Sequence, residues 1–157
     1  MTGNTVQIQT IYQEVIIMSR IAVVYWSGTG NTQAMAEKVA EGAQAAGGEV
    51  SIFTPDAFDP ATIGDYDAIA FGCPAMGAEE LEDSEFAPMF ESCRPALSGK
   101  SVVLFGSYGW GDGQWMRDWE ETVTGDGAVL AAGSVICNDY PDDDAEAACV
   151  ALGQAIA

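Results

Sequence analysis

The segment with the most chemistry in it is Tyr25–Thr32, which reads YWSGTGNT and runs from the apolar stretch Ile21–Val24 straight into a helical pattern. Ser27, Thr29 and Thr32 supply hydroxyl donors and Asn31 an amide, while Gly28 and Gly30 let the backbone turn its N–H groups inward. At a helix start these donors meet the positive end of the helix dipole, and together they make an anion cradle. No Lys or Arg lies between Arg20 and Lys38, so an anion held here is bound by neutral donors. That argues against a Walker-type ATP or GTP site, whose motif closes on Gly-Lys and then Ser or Thr. The dinucleotide fingerprint is missed too, since Gln33 stands where its third glycine belongs. A terminal phosphate monoester fits best. The same residue types also build ordinary turns and N-caps that bind nothing. A partial echo, TGNT at Thr2–Thr5, has no strand before it and reads as coincidence.

Two further loops carry residues that a plain connection does not need. Cys73–Glu80 (CPAMGAEE) places Met76 beside the turn residue Gly77, and Ser107–Gly113 (SYGWGDG) sets Tyr108 and Trp110 among three glycines. Aromatics flanked by Gly have few local packing partners and serve well as flat plates against a planar ligand. Singly, Met76 and Trp110 would be core filler. Their value lies in company with a phosphate cradle.

The elements that must position these loops alternate regularly from Arg20 onward. Strands are expected at Ile21–Trp26, Val50–Phe53, Ala68–Gly72, Ser101–Gly106 and Ala128–Ile136. Helices are expected at Gln33–Ala46, Phe86–Arg94, Trp115–Val123 and Asp142–Ala157, the last with acids in its first turn. A connection containing Pro and Asp, with at most one helical turn, follows the second strand. Strands without polar alternation, each followed by a helical segment, indicate a parallel sheet covered on both faces, a doubly wound α/β domain. Ligands in such folds sit beyond the carboxyl ends of the strands, where strand order reverses, and all three loops leave strands at that edge.

Composition narrows the function classes. The chain has 157 residues, 48% of them hydrophobic, enough for one domain with a substantial core. Twenty-four acids against 5 bases give a net charge of −19, which disfavours nucleic acid or an anionic membrane as a partner. A basic protein partner is compatible with it, as is a simple solubility role. No apolar run is long enough to span a bilayer. There is no His and no Cys-x-x-Cys pair, so zinc, iron–sulfur and haem-attachment patterns have no support and Ser-His or Cys-His hydrolysis is excluded. Cys73, Cys93, Cys137 and Cys149 read as free thiols of a reducing cytoplasm. Residues 1–17 lack the features of a secretory signal, and Met18 looks like a natural start. The expected organisation is an extension or start-site over-call at 1–17 and one domain over 18–157.

The three loops together resemble those of the flavodoxins, especially the short-chain clostridial group. Residues 25–32, Ala75–Gly77, Glu82–Phe86, Gly106–Gly113 and Trp115–Asp118 carry the resemblance, which runs from about Met18 to the C-terminus. It implies a flavodoxin-like, doubly wound five-stranded parallel sheet in strand order 2-1-3-4-5 and FMN as cofactor. Ser27, Gly28, Thr29, Gly30, Asn31 and Thr32 would bind its phosphate, with Trp26 alongside. Met76 would cover the inner face of the isoalloxazine ring and Trp110 the outer face, and Glu79 would accept a hydrogen bond from ring N3–H. Backbone groups of Ala75, Gly77, Ser107 and Gly109 would line the ribityl chain and ring edge. Pro74, Ala78, Tyr108 and Gly113, in the same loops, complete the expected site. The Gly77 carbonyl would turn toward N5 on one-electron reduction. Ala78 stands where family members often have Asp, and Pro74 where a Ser can help bind the ligand; both bear on affinity and redox tuning rather than on which cofactor binds.

On this reading the chain is a low-potential carrier that moves single electrons between redox enzymes and is not itself an enzyme. It would be a cytoplasmic monomer, docking on redox proteins by an acidic face, with no nucleic-acid or membrane partner. An NAD(P)H-dependent quinone or flavin reductase on the same fold is the weaker alternative. It needs a nicotinamide pocket and usually cations for the phosphates. A phospho-receiver domain needs Asp at the end of the first strand, where Trp26 and Ser27 stand.

Overall fold

A computed structural model describes residues 18–157. The expectations for residues 1–17 lie outside the described residues. The chain runs β1 (Arg20–Tyr25), α1 (Asn31–Ala45), β2 (Glu49–Phe53), a 3₁₀ segment (Pro60–Asp65), β3 (Ala68–Gly72) and α2 (Phe86–Cys93). It continues through β4 (Ser101–Tyr108), α3 (Gln114–Gly125), β5 (Val129–Leu130), β6 (Val135–Asn138) and α4 (Asp143–Ile156). The sheet is parallel in the order β2-β1-β3-β4-β5, with β6 also paired to β4.

The central strands have no polar face because both sides are covered. Along β1, Ala22 and Val24 face one apolar cluster with Phe71, Leu104 and the α2–α3 side chains Phe86, Phe90, Trp115 and Trp119. Ile21 and Val23 face the other cluster, with Met35 and Val39 of α1 and Leu152 and Ile156 of α4. This period-2 split sends α1 and α4 to one face and α2 and α3 to the other. The first cluster is largely aromatic. Phe71 meets Phe90 edge-on at 5.3 Å and Trp119 meets Phe90 edge-on at 5.7 Å, geometries that add ~0.5–1.5 kcal/mol per pair to area burial. On the opposite face α1 and α4 approach closely through Gly42 and Gly153. A Cβ on Gly42 would run into the Val150 carbonyl, and one on Gly153 into that of Val39.

The expected single strand Ala128–Ile136 is two strands. Leu130 lies opposite Val102 and Val135 opposite Phe105, so five steps of this chain span three of β4. The excess is taken up at Ala131–Ser134, where small residues and Gly133 let the backbone leave the sheet and rejoin it. Apolar content alone cannot show such a break. Its consequence is that β6 runs on to Asn138, beside Tyr108, and delivers a fourth loop to the carboxyl edge.

Candidate functional site

The carboxyl ends of β1, β3 and β4 are locked together before any loop begins. The Trp26 amide donates to the Gly72 carbonyl at 3.0 Å, that of Cys73 to Phe105 at 3.1 Å, and that of Ala75 to Ser107 at 3.0 Å. The buried indole N–H of Trp115 donates to the Cys73 carbonyl at 3.1 Å, tying α3 to the same edge. Beyond this frame lies a cavity of ≈ 250 Å³.

The first loop supplies Trp26, Gly28, Thr29 and Asn31 to the cavity wall. Gly28 rides over the Trp26 indole, and a Cβ there would stand 3.0 Å from the ring. The Gly30 amide donates to Ser27 Oγ at 3.1 Å, and Gly30 takes φ +97°, a left-handed turn that glycine adopts without strain. From there α1 starts with no side-chain cap and no acid in its first turn, so its leading N–H groups and dipole remain for a ligand. Thr32, 1% exposed, turns inward: its Oγ1 lies 3.0 Å from Ser107 Oγ and accepts from the Ser107 amide at 3.4 Å. This hydroxyl pair joins the start of α1 to the end of β4.

The second loop supplies Pro74, Ala75 and Met76. Met76 and Glu80 exchange backbone hydrogen bonds of 2.8 and 2.9 Å around the exposed Gly77–Ala78 turn, with φ +53° at Gly77 and +56° at Glu79. The loop is anchored by Glu82, which is buried. Its Oε1 accepts from the Ser84 amide and hydroxyl, both at 2.7 Å, and from the Glu85 amide at 2.6 Å. Burial alone would raise the Glu82 carboxyl, but the hydrogen bonds from Ser84, Glu85 and Phe86 outweigh it and hold the group below its usual range. Burial, with the Glu82 charge adding to it, pushes the neighbouring Cys73 thiol up to about 12 against a hydrogen bond from the Glu82 amide; this is a packing residue and no nucleophile.

The third loop supplies Ser107, Tyr108 and Gly109. Tyr108 packs on Trp115 at 5.5 Å between ring centroids. Trp110 does not line the cavity; it stands 66% exposed above the loop, available as a plate. Glu79 reaches across to this loop: its Oε1 accepts from the amides of Asp112 at 3.3 Å and Gln114 at 3.2 Å, capping α3 from a distant segment. Gly113, buried with φ +92°, is the backbone N-cap of α3 and sits under Ile136 and Arg117 rather than in the cavity. Ser27, Gly30 and Thr32 shape the cradle from behind, and Gly77, Ala78 and Glu79 form its outer rim.

No Lys or Arg lines the cavity among the described residues. Arg117 is occupied by Asp112 at 2.9 Å, and Arg94 by Asp126 at 2.8 Å and Glu91 at 3.2 Å. No group of His, Cys, Asp and Glu that could hold a metal is found among the described residues. Asp139 lines the cavity and was missed by sequence reasoning. The signal lay in the Asn138–Pro141 run (NDYP), a turn-forming stretch after a strand, masked once that strand was ended at Ile136.

The fit to a flavin monophosphate is therefore local and physical. One end of the cavity offers hydroxyls and free helix-terminal amides without a cation. The other offers Met76, Tyr108 and the flat backbone of Ala75 and Gly109. Comparison with known proteins agrees. Residues 23–153 match the family described as Flavodoxin. The chain is 46% identical over 135 residues to the flavodoxin of Clostridium beijerinckii, covering 86% of this chain and 97% of that one. It is 45% identical over 137 residues to the flavodoxin of Megasphaera elsdenii, covering 87% and 98%. The solution structure of two-electron reduced Megasphaera elsdenii flavodoxin superposes with a TM-score of 0.80, covering 87% of this chain and 97% of the other. The flavodiiron protein of Giardia intestinalis, 20% identical, shares the fold at a TM-score of 0.75 over 87% of this chain and 35% of its own. With its phosphate-type cradle, its three loops at the sheet edge and these relatives across most of its length, this chain belongs to the flavodoxin family.

Proposed function

We propose that the cavity beyond β1, β3 and β4 holds FMN and that the protein carries single electrons between redox proteins. The observation that carries this reading is the open, uncapped N-terminus of α1 facing a cavity with hydroxyl donors and no cation, in a member of the flavodoxin family. Bound FMN would supply the redox chemistry.

The protein's part is to bind, orient and tune. The amides of the first turn of α1 and the hydroxyls of Ser27, Thr29 and Thr32 bind the phosphate. Ser27 accepts the Gly30 amide through oxygen, which leaves its hydroxyl proton free to donate, while Thr32 shares its hydroxyl with Ser107 Oγ behind the cradle. Met76 covers the inner ring face and the exposed Trp110 the outer one. Glu79 holds the Trp110 loop with Oε1 and would accept a hydrogen bond from ring N3–H of bound FMN. An acidic surround and apolar ring faces both disfavour an anionic reduced ring, which lowers the potential.

Electron transfer needs brief, well-steered encounters. Glu80, Asp83, Glu85, Asp112 and Asp118 are exposed around the rim, in a chain of net charge −19. This face suits a basic patch on a redox partner. All four cysteines are free, which agrees with a reducing compartment, and no helix of the described residues is long and apolar enough to cross a membrane. The test is to identify what the purified protein releases on denaturation. FMN is expected; FAD alone would refute the cofactor assignment.

A further inference from the structure

We infer that Glu85 is a positioning residue for the phosphate loop, holding the Trp26 indole in place as the floor on which Gly28 lies. This rests on the FMN reading above. Trp26 is fixed at two points: its amide donates to the Gly72 carbonyl at 3.0 Å, and its indole Nε1–H donates to Glu85 Oε2 at 3.0 Å. The second bond joins residues 59 positions apart and ties the loop after β1 to the start of α2. Gly28 rests against the ring, where a Cβ would stand 3.0 Å from Cη2 and 3.3 Å from Cζ3. Trp26, Gly28, Thr29 and Asn31 all line the cavity. The orientation of the indole therefore sets where the backbone of the cradle can lie.

Glu85 is itself held. Its amide donates to the buried Glu82 carboxylate at 2.6 Å. It is the N-cap residue of α2, yet its side chain makes no capping bond and turns to Trp26 instead. With the backbone already fixed, only side-chain torsions are frozen when this bond forms, which keeps its entropic cost low. An acceptor that carries charge strengthens the bond, and its exposure to water moderates it. The charge acts the other way on the ligand. No Lys or Arg lines the cavity among the described residues, so a carboxylate beside the cradle opposes a phosphate uncompensated. The hydrogen bond and the charge of Glu85 thus push FMN affinity in opposite directions, and substitution separates them.

The full chain without ligand is titrated with FMN and with riboflavin, flavin fluorescence giving the dissociation constants. Wild type, Glu85→Ala and Glu85→Gln are compared, each alone and combined with Trp26→Phe. Glu85→Ala should weaken FMN binding about 3- to 10-fold, the scale of one exposed hydrogen bond. Glu85→Gln keeps an oxygen to accept the indole N–H and drops the charge, so it should stay within about twofold of wild type. Trp26→Phe removes the donor, and in that background the Ala and Gln variants should differ less than about twofold. Riboflavin, which has no phosphate to place, should lose less than about twofold with Glu85→Ala. The inference is overturned if Glu85→Ala weakens FMN binding no more than Glu85→Gln does, because charge alone would then describe the residue. It is equally overturned if the Ala variant keeps its full effect beside Trp26→Phe, or if FMN and riboflavin lose affinity alike. Tight FMN binding indifferent to these variants overturns this inference alone, whereas failure of the wild-type chain to take up FMN overturns the cofactor assignment with it.

Discussion

Replacing Thr32 by Val keeps the side-chain shape and removes only the hydroxyl. Thr32 is 1% exposed and Ser107 4% exposed, so water cannot replace what is lost. The Ser107 amide loses its acceptor and the Ser107 hydroxyl its partner. Leaving such buried groups unpaired costs ~1–3 kcal/mol each. With partial relaxation we expect the apoprotein to lose about 2 kcal/mol, a fall in melting temperature of roughly 4–8 °C for a domain of this size. FMN affinity should drop in addition, because a charged phosphate loses a donor worth about 1.5–3 kcal/mol, or ~10- to 150-fold in dissociation constant. The assays are urea denaturation of the apoprotein and fluorescence titration with FMN. The pair also makes a double-mutant cycle. Ser107→Ala added to Thr32→Val should cost little further stability, since one side-chain partner is already gone. Unchanged apoprotein stability, or strictly additive losses in the cycle, would refute the coupling of the cradle to β4. Unchanged FMN affinity would remove Thr32 from the phosphate site.

Three other outcomes follow from the same geometry. Gly77 already has φ +53° with nothing within 4 Å of a Cβ, so Gly77→Ala adds only backbone strain, ~1–2 kcal/mol; if the turn serves the reduced ring, the first reduction potential falls while oxidised FMN still binds, and an unchanged potential would separate the turn from the ring. The Glu82 carboxyl is lower folded than unfolded, so the unfolded state binds more protons and stability rises with pH through that window. The advantage of wild type over Glu82→Gln should be full above the ordinary value of 4.5 and vanish as pH falls through the folded value; denaturation midpoints from pH ~3 to 7 measure it, and a pH-independent difference would contradict the reading. NAD(P)H alone should leave the flavin oxidised while a partner reductase reduces it at a rate that falls with salt, since exposed charges are screened beyond ~10 Å at 0.1 M; rapid bleaching by NADPH would favour an enzyme.

Much of the fold was legible because its central strands are buried on both sides. Ala68–Gly72 is apolar throughout and bounded by polar and turn residues, and the strand matches the expectation residue for residue. Helix limits moved by one or two positions, with α1 beginning at Asn31 because Gly30, not Asn31 or Thr32, makes the left-handed turn at its start. The interrupted edge was not legible, since Ala131–Ser134 departs from the sheet for reasons of register with β4. That one error hid Asp139. The first loop shows its hydroxyl, amide and glycine content directly in the sequence. What Glu79, Glu82 and Thr32 do is set by partners brought near through the fold. The bonds of Glu79 to the 112–114 amides and of Thr32 to Ser107 span distant parts of the chain and leave no local pattern. Trp110, flanked by glycines, reads as a plate in the sequence, and its 66% exposure is a property of the folded loop.

The central claim is that neutral donors at the start of α1 hold a phosphate monoester at one end of a flavin cavity. Parallel titration of the apoprotein with FMN and riboflavin tests it most directly, because the two ligands differ only in the phosphate. One FMN should bind per chain, and riboflavin at least ~100-fold more weakly, since several charge-assisted hydrogen bonds are lost at once. Riboflavin bound as tightly as FMN would contradict the account.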